Sequence, residues 1–306
     1  MKKVLFIGDI NVDIIMRGLT FPIKIDREIT CQSYELTLGS SAVIAACVYA
    51  SLGGKAHFLG LAGKDEHGDF MIEEMNKYDV NTDLVQRTDK TKTGVTVNLI
   101  YRDTRTQITY PGTISEFKGS DIGNTVLENF DHIHFAGPYQ QIKFSPEITR
   151  ILEIAKKQQI QTSLDPQWDQ NEKWERIDEW LPMLTYLFVN KAEAISISRS
   201  SSIEEALKYL NARTNYTIIK AGSKGAFIYS NGHHANIPTS CPEVVDTTGA
   251  GDNFNSGFLF AVLEKEMDLF NACKFANAVG SRSCLFDGGV NKSPKYRDIL
   301  KFMEDN

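Results

Sequence analysis

The chain has 306 residues, 42% of them hydrophobic and 24% charged, with a formal net charge of −6. This suits a globular core of ordinary size and disfavours a nucleic-acid binder, which needs a basic face. Apolar runs stop well short of a membrane span, and Asp9 cuts the N-terminal run at 4–7 too early for a signal peptide.

In chain order, residues 4–7, closed by Gly8, predict a buried strand. Residues 41–52, rich in Ala and Val and ended by Gly53-Gly54, predict a buried helix. A strand over 56–61 and an amphipathic helix over 69–78 follow, the alternation of a layered α/β domain. Two segments break it, 14–38 and 94–110. The second alternates apolar and polar residues and turns at Arg102-Asp103-Thr104. Period-two patterning predicts antiparallel strands exposed on one face, and the two segments can pair as one small sheet, a lid or a dimerisation surface. An ordinary edge hairpin is the alternative.

From 131 the alternation resumes. Strands are expected at 133–135, 161–164, 184–189, 216–220 and 226–229, and helices at 146–157, 203–210, 254–263 and 269–281. Trp168, Trp174 and Trp180 share a helical-looking stretch at a spacing that makes no single face, so they read as packing residues. His233-His234 follow a turn sequence, Asn231-Gly232, and read as surface histidines. Five cysteines, Cys31, Cys47, Cys241, Cys273 and Cys284, lack any C-x-x-C spacing. They favour reduced thiols in a cytoplasmic setting over a disulfide framework or a thiolate zinc site.

The run Asp246-Thr247-Thr248-Gly249-Ala250-Gly251-Asp252, continuing as an apolar helix-like stretch, carries the chemistry. Small residues before a helix N-terminus let backbone N–H groups converge on an anion. A carboxylate there either caps the helix or takes a proton from an attacking hydroxyl; the residues alone leave both readings open. Polar groups also recur just past strands: Asp9, Asn11 and Asp13; Asp165; Asn190 and Glu193; Lys220 and Gly222. In a doubly wound sheet these converge at one edge. No Walker loop, protein-kinase motif set, G-x-G-x-x-G or H-E-x-x-H occurs.

With these residues the chain resembles the ribokinase-like (PfkB) carbohydrate kinase family over nearly its whole length. The resemblance rests on the 246–252 run with Phe254 and Gly257-Phe258, on 8–13, 60–68 and 220–226, and on Asn190-Lys191-Ala192-Glu193. It implies a three-layer α/β/α sandwich with a central, mostly parallel sheet, one kinase domain over 1–306, and a small β lid from about 14–38 and 94–112. It implies transfer of the γ-phosphoryl of ATP to a sugar hydroxyl, commonly a primary CH2OH. Asp252 would be the base, and Gly249, Ala250 and Gly251 the anion hole. Asn190 and Glu193 would organise Mg²⁺, mainly through its waters. Lys220, Gly222 and Gly225 would line the nucleotide, with Asn277 near the adenine. Asp246 and Thr248 match positions holding a monovalent cation such as K⁺ in many members. Asn11, Asp13, Gly39 and Ser40 would meet the sugar.

One departure stands out: Leu38 and Val43 occupy places where members usually have Gly and Asn. Val cannot hydrogen-bond a substrate hydroxyl, which turns the expectation away from a ribose specialist. Arg17, Arg27, Arg102 and Arg105 fall in the lid segments and could meet an acidic substrate or simply face solvent. A nucleoside kinase on the same scaffold and a non-catalytic sugar-binding sensor are the alternatives. A homodimer through exposed lid strands is a further expectation; no membrane or nucleic-acid partner is expected.

Overall fold

The computed structural model describes residues 1–20, 26–101, 104–119, 122–230, 233–241, 243–290 and 293–306. Residues 4–7 are apolar and fully buried, which makes β1 (Lys3–Ile7) a central strand covered on both faces. β2 (Asn11–Arg17) and β3 (Ser33–Leu38) leave for a smaller sheet. The small-residue helix α1 (Ser41–Ser51) is buried from Ala42 to its end. The expected strand at 56–61 breaks at Gly60 into β4 (Lys55–Leu59) and β5 (Leu61–Gly63). Asp65 caps α2 (Glu66–Lys77), accepting from the Gly68 amide at 2.9 Å. β6 (Gln86–Thr88) pairs with β5. β7 (Gly94–Tyr101) and β8 (Thr104–Tyr110) complete the small sheet.

Two one-turn helices, α3 (Thr113–Glu116) and α4 (Asn124–Leu127), lead to β9 (His132–Ala136). α5 (Ser145–Lys157) buries Ile148, Ile151, Leu152 and Ala155, the stripe that a 3.6-residue period sets on one face. β10 (Gln161–Asp165), α6 (Ile177–Trp180), β11 (Tyr186–Asn190), α7 (Lys191–Ser198), α8 (Ile203–Asn211) and β12 (Tyr216–Lys220) follow. The chain ends with β13 (Ala226–Ser230), β14 (His233–Ile237), α9 (Ala250–Glu264), α10 (Leu269–Ser283) and α11 (Tyr296–Asp305).

The main sheet runs β14-β13-β12-β11-β10-β9-β1-β4, parallel except for the β12–β13 and β13–β14 pairs. Alternation along β1 divides the core: Val4 and Phe6 join a layer with α1, α9 and α10, while Leu5 and Ile7 join one with α5, α7 and α8. This is the expected three-layer α/β/α sandwich. The small sheet, order β3-β2-β7-β8, joins the two segments that broke the rhythm. Each hairpin is antiparallel, but the β2–β7 pair joining them is parallel, unlike the antiparallel strands predicted.

Other sequence readings need correction. The tryptophan stretch is not a helix: Glu172, Trp174 and Arg176 have positive φ, and only α6 is helical there. Trp174 and Trp180 are buried as packing residues, whereas Trp168 is exposed. α7, β14 and α11 were not foreseen. The turns at Arg102-Asp103 and Asn231-Gly232 lie outside the described residues. Among the described residues no helix is long and apolar enough to cross a membrane.

Candidate active site

The C-terminal ends of β10, β11 and β12 deliver Asp165, Asn190 and Lys220 to one edge, where the N-terminus of α9 meets them. Gly249 caps that helix with φ 70°, and a Cβ there would lie 2.8 Å from the Gly289 Cα, so both turn and packing require glycine. The turn places Asp252 in the helix's first turn, buried. Burial, reinforced by the Asp165 charge and opposed by Lys220 and a Ser41 hydrogen bond, pushes Asp252 up to about 7. A carboxyl at that value can exchange a proton near neutrality, which a simple cap would not. Gly251 faces the Lys220 amine, 3.3 Å from Nζ to where its Cβ would stand.

Behind Asp252, Lys220 Nζ pairs with Asp165 Oδ2 at 2.6 Å. Asn255, three residues past Asp252, donates from Nδ2 to the same oxygen at 2.7 Å and accepts from Lys220 Nζ at 3.2 Å. Sequence reading missed Asn255, although its i+3 spacing from Asp252 puts both on one helix face. Asn190 and Glu193 form a reciprocal cap on α7: Glu193 N–H donates to Asn190 Oδ1 at 2.9 Å, and Asn190 N–H donates to Glu193 Oε2 at 2.8 Å. Glu193 is nevertheless pushed up to about 7, by burial first and the Asp165 charge second. Asp9, buried at the end of β1, rises to about 6 through burial, although the Ser40 hydroxyl donates to it at 3.1 Å.

A cleft of about 840 Å³ is lined by Asn190, Glu193, Lys220, Gly222, Gly225, Ala250, Gly251, Asp252 and Asn277; of the expected nucleotide and anion-hole residues Gly249 does not line it. Asn277 spends its Nδ2 on the Ile237 and Pro238 carbonyls (2.9 and 3.1 Å) and so holds the cleft wall. Among the described residues no three or more His, Cys, Asp or Glu side chains gather as a metal cage.

A second cavity of about 410 Å³ lies between the small sheet and residues 244–248. Asp13, Ile15, Arg17, Asn98 and Ile100 line it, and Val244 and Thr247 line both cavities, so the two adjoin. Of the expected sugar-binding set only Asp13 lines this cavity. Asn11 stands behind it, donating to Asp13 Oδ1 at 3.0 Å and Thr96 Oγ1 at 3.3 Å. Gly39 is required there, because its Cβ would fall 2.4 Å from Asn11 Nδ2. Ser40 caps α1 and bonds Asp9. Val43 is fully enclosed in the apolar layer and lines neither cavity.

Asn98 is a second residue that sequence reading missed. It is 4% exposed; its Oδ1 accepts from Gln107 Nε2 at 2.9 Å, while its Nδ2 has no partner. Only its place inside an alternating lid strand could have signalled it. Asp246 and Thr248 are joined by Thr248 N–H and Oγ1 donating to Asp246 Oδ1 (2.9 and 2.7 Å), and the Gly288 amide donates to Oδ2 at 3.0 Å. Burial works to raise Asp246, but the Gly288 and Thr248 donors and Arg17 outweigh it and hold the carboxyl below its ordinary value. Arg17 pairs with Asp287 at 2.9 Å.

The chain is 24% identical to a ribokinase of Haemophilus influenzae over 99% of both proteins. Its fold matches a nucleoside kinase of Methanocaldococcus jannaschii with a TM-score of 0.84 at 23% identity, covering 100% of this chain and 99% of that one. It matches an Arabidopsis thaliana ribokinase complexed with ribose and ATP with a TM-score of 0.84 at 21% identity, over 99% of each chain. The family model described as pfkB family carbohydrate kinase matches residues 1–295; with that match and this fold, the chain belongs to the pfkB family of carbohydrate kinases.

Proposed function

We propose that the protein transfers the γ-phosphoryl of ATP to a primary hydroxyl of a sugar, acting as one kinase domain over residues 1–306 with a lid from about 14–38 and 94–112. The observation that carries this reading is Asp252, poised at about 7 beside the glycine turn in the larger cleft, which shares Val244 and Thr247 with the smaller cavity. ATP fits the larger cleft, with phosphates toward the 249–251 amides and Lys220; the hydroxyl approaches from the smaller one. Asp252 accepts its proton as oxygen attacks phosphorus, and the helix N-terminus takes up charge on the transferring group.

Three acids, Asp165, Glu193 and Asp252, act on one lysine, Lys220, and Glu193 and Asp252 are raised toward neutrality. A polyanionic nucleotide entering such a site needs a divalent cation. Glu193, with Asn190 on its carboxylate, is placed to hold Mg²⁺ through water. When bound, Mg²⁺ neutralises phosphate charge. Asp246 and Thr248 are proposed for K⁺, and five free cysteines fit a cytoplasmic setting.

The test is ADP release from Mg·ATP over sugars, sugar acids, sugar phosphates and nucleosides, with and without K⁺. A nucleoside acceptor is the second reading, since Ile15, Ile100 and Val245 give the smaller cavity an apolar wall. Silence from folded, ATP-binding protein would instead favour the sensor reading. For the accepted substrate, Asn98→Ala should raise KM about tenfold with little change in kcat, as expected for one lost hydrogen bond to a hydroxyl. An unchanged KM would remove Asn98 from the substrate site.

The lid's outer face carries Tyr34 (74% exposed), Leu36 (36%), Ile108 (58%) and Tyr110 (51%), on strands β3 and β8 that end the small sheet. A second copy of the chain fits this apolar face better than water does. Light scattering should report a dimer, and Ile108→Asp should yield monomers. A monomer at every concentration would exclude this assembly.

A further inference from the structure

The larger cleft contains two thiols that phosphoryl transfer does not use. Cys241 and Cys284 both line it. Cys241 is half-buried in the segment after β14, and its thiol donates to the Ser281 carbonyl at 3.4 Å. Cys284 is buried at the C-terminal end of α10, and its thiol donates to the Gly280 carbonyl at 3.3 Å. These carbonyls are consecutive on one helical turn, which brings the two thiols to the same stretch of the cleft wall. The Val245 and Asp246 amides both donate to the Cys284 carbonyl, at 2.8 and 3.2 Å, so backbone already laces the two segments together. The other cysteines differ: Cys47 and Cys273 are sealed in the apolar layer, and neither Cys31 nor either of those two lines the cleft.

We propose that Cys241 and Cys284 are a redox modification site whose disulfide closes the cleft to nucleotide; this rests on reading the cleft as the ATP site. The oxidant is a small disulfide such as oxidised glutathione. The Cys241 thiolate attacks one of its sulfurs, forming a mixed disulfide and releasing one thiolate. Cys284 then loses its proton and attacks Cys241 Sγ, expelling the second thiolate, which is protonated. Two protein thiols and one small disulfide become one protein disulfide and two small thiols.

The order follows from the surroundings. Cys241 is the more accessible thiol. The Cys284 thiol is pushed up to about 11, by burial first and by charge on Cys241 next, so it is inert toward reagents. Capping Cys241 in the mixed disulfide removes that second contribution. The new bond fixes the wall formed by Thr239, Ser240 and Cys241 against Ser281, next to Asn277, the side of the cleft read as the place of the base. Conversely, bound nucleotide covers Cys241 and protects it.

The experiment compares reduced protein with protein treated with oxidised glutathione, using non-reducing peptide mapping and calorimetric Mg·ADP affinity. The expected results are a Cys241–Cys284 linked peptide and an affinity loss of about tenfold or more, reversed by dithiothreitol. Saturating Mg·ADP should slow linkage about tenfold. Measured against its own reduced state, Cys241→Ser should lose the oxidative effect, whereas Cys284→Ser should show no linked peptide and instead accumulate the glutathione mixed disulfide on Cys241. Absence of the linked peptide, or linkage with unchanged affinity, overturns the proposal while leaving the kinase reading intact. Reduced protein that fails to bind Mg·ADP overturns the cleft assignment and, with it, the gating.

Discussion

Asp252→Asn should lower kcat by about 10²–10⁴-fold, the range for loss of a positioned proton acceptor, while Mg·ADP affinity changes by no more than a few-fold. In the unsubstituted protein kcat/KM should fall below about pH 7, because the base must be unprotonated and Asp252 is raised to about 7. That acid limb should be absent from the residual activity of the variant. Stability should move the opposite way. A carboxyl raised from 3.8 when folded binds its proton more tightly in the native state. Its favourable contribution is therefore complete below the unfolded value and disappears as pH rises through about 7. Above that, the buried charge is a burden that Asn lacks. At pH 8 Asp252→Asn should gain about 1–3 kcal/mol, since each tenfold change in proton affinity is worth about 1.4 kcal/mol and the neighbouring acids share the cost. The gain should shrink toward pH 4. Retained turnover would exclude Asp252 as the base; a gain that persists at pH 4 would assign the stability change to packing.

The legible parts of this molecule are those in which local pattern and tertiary environment agree. β1 reads as a strand because its apolar run is covered on both faces, and α5 reads as a helix because its stripe matches the helical period. The 246–252 turn is legible because only small residues permit the φ of Gly249 and its contact with Gly289. α7 was hidden because Asn190 and Glu193 serve as a helix cap and a cleft carboxylate at once. Asn98 and Asn255 were hidden for another reason. An unpartnered amide and an amide bonded across 90 residues are both properties of the assembled fold. Val43, a motif position that suggested altered substrate recognition, stands enclosed in the apolar layer.

Asp165→Ala should destabilise the fold by about 3–5 kcal/mol, the range for removing one partner of a buried ion pair. Lys220 would remain largely enclosed, with the side-chain Oδ1 of Asn255 as its other hydrogen-bond partner. Burial raises Asp165, but Lys220 and Asn255 outweigh it and hold the carboxyl below 3.8. The pair's stabilisation is therefore present above that value and is lost as pH falls through the depressed one. Asp165→Asn keeps an acceptor for Lys220 and should cost less. Lys220→Met tests the same pair through chemistry. Lys220 lowers the proton affinity of both Asp252 and Glu193, so without it both carboxyls rise further. The acid limb of kcat/KM should then move to higher pH, a shift that a merely structural lysine would not produce. Thermal unfolding of the Asp165 variants and a pH profile of Lys220→Met measure these separately. A destabilised Asp165→Ala with an unmoved acid limb in Lys220→Met would make the pair a structural clamp. A moved limb would show that it sets the proton affinity of the base.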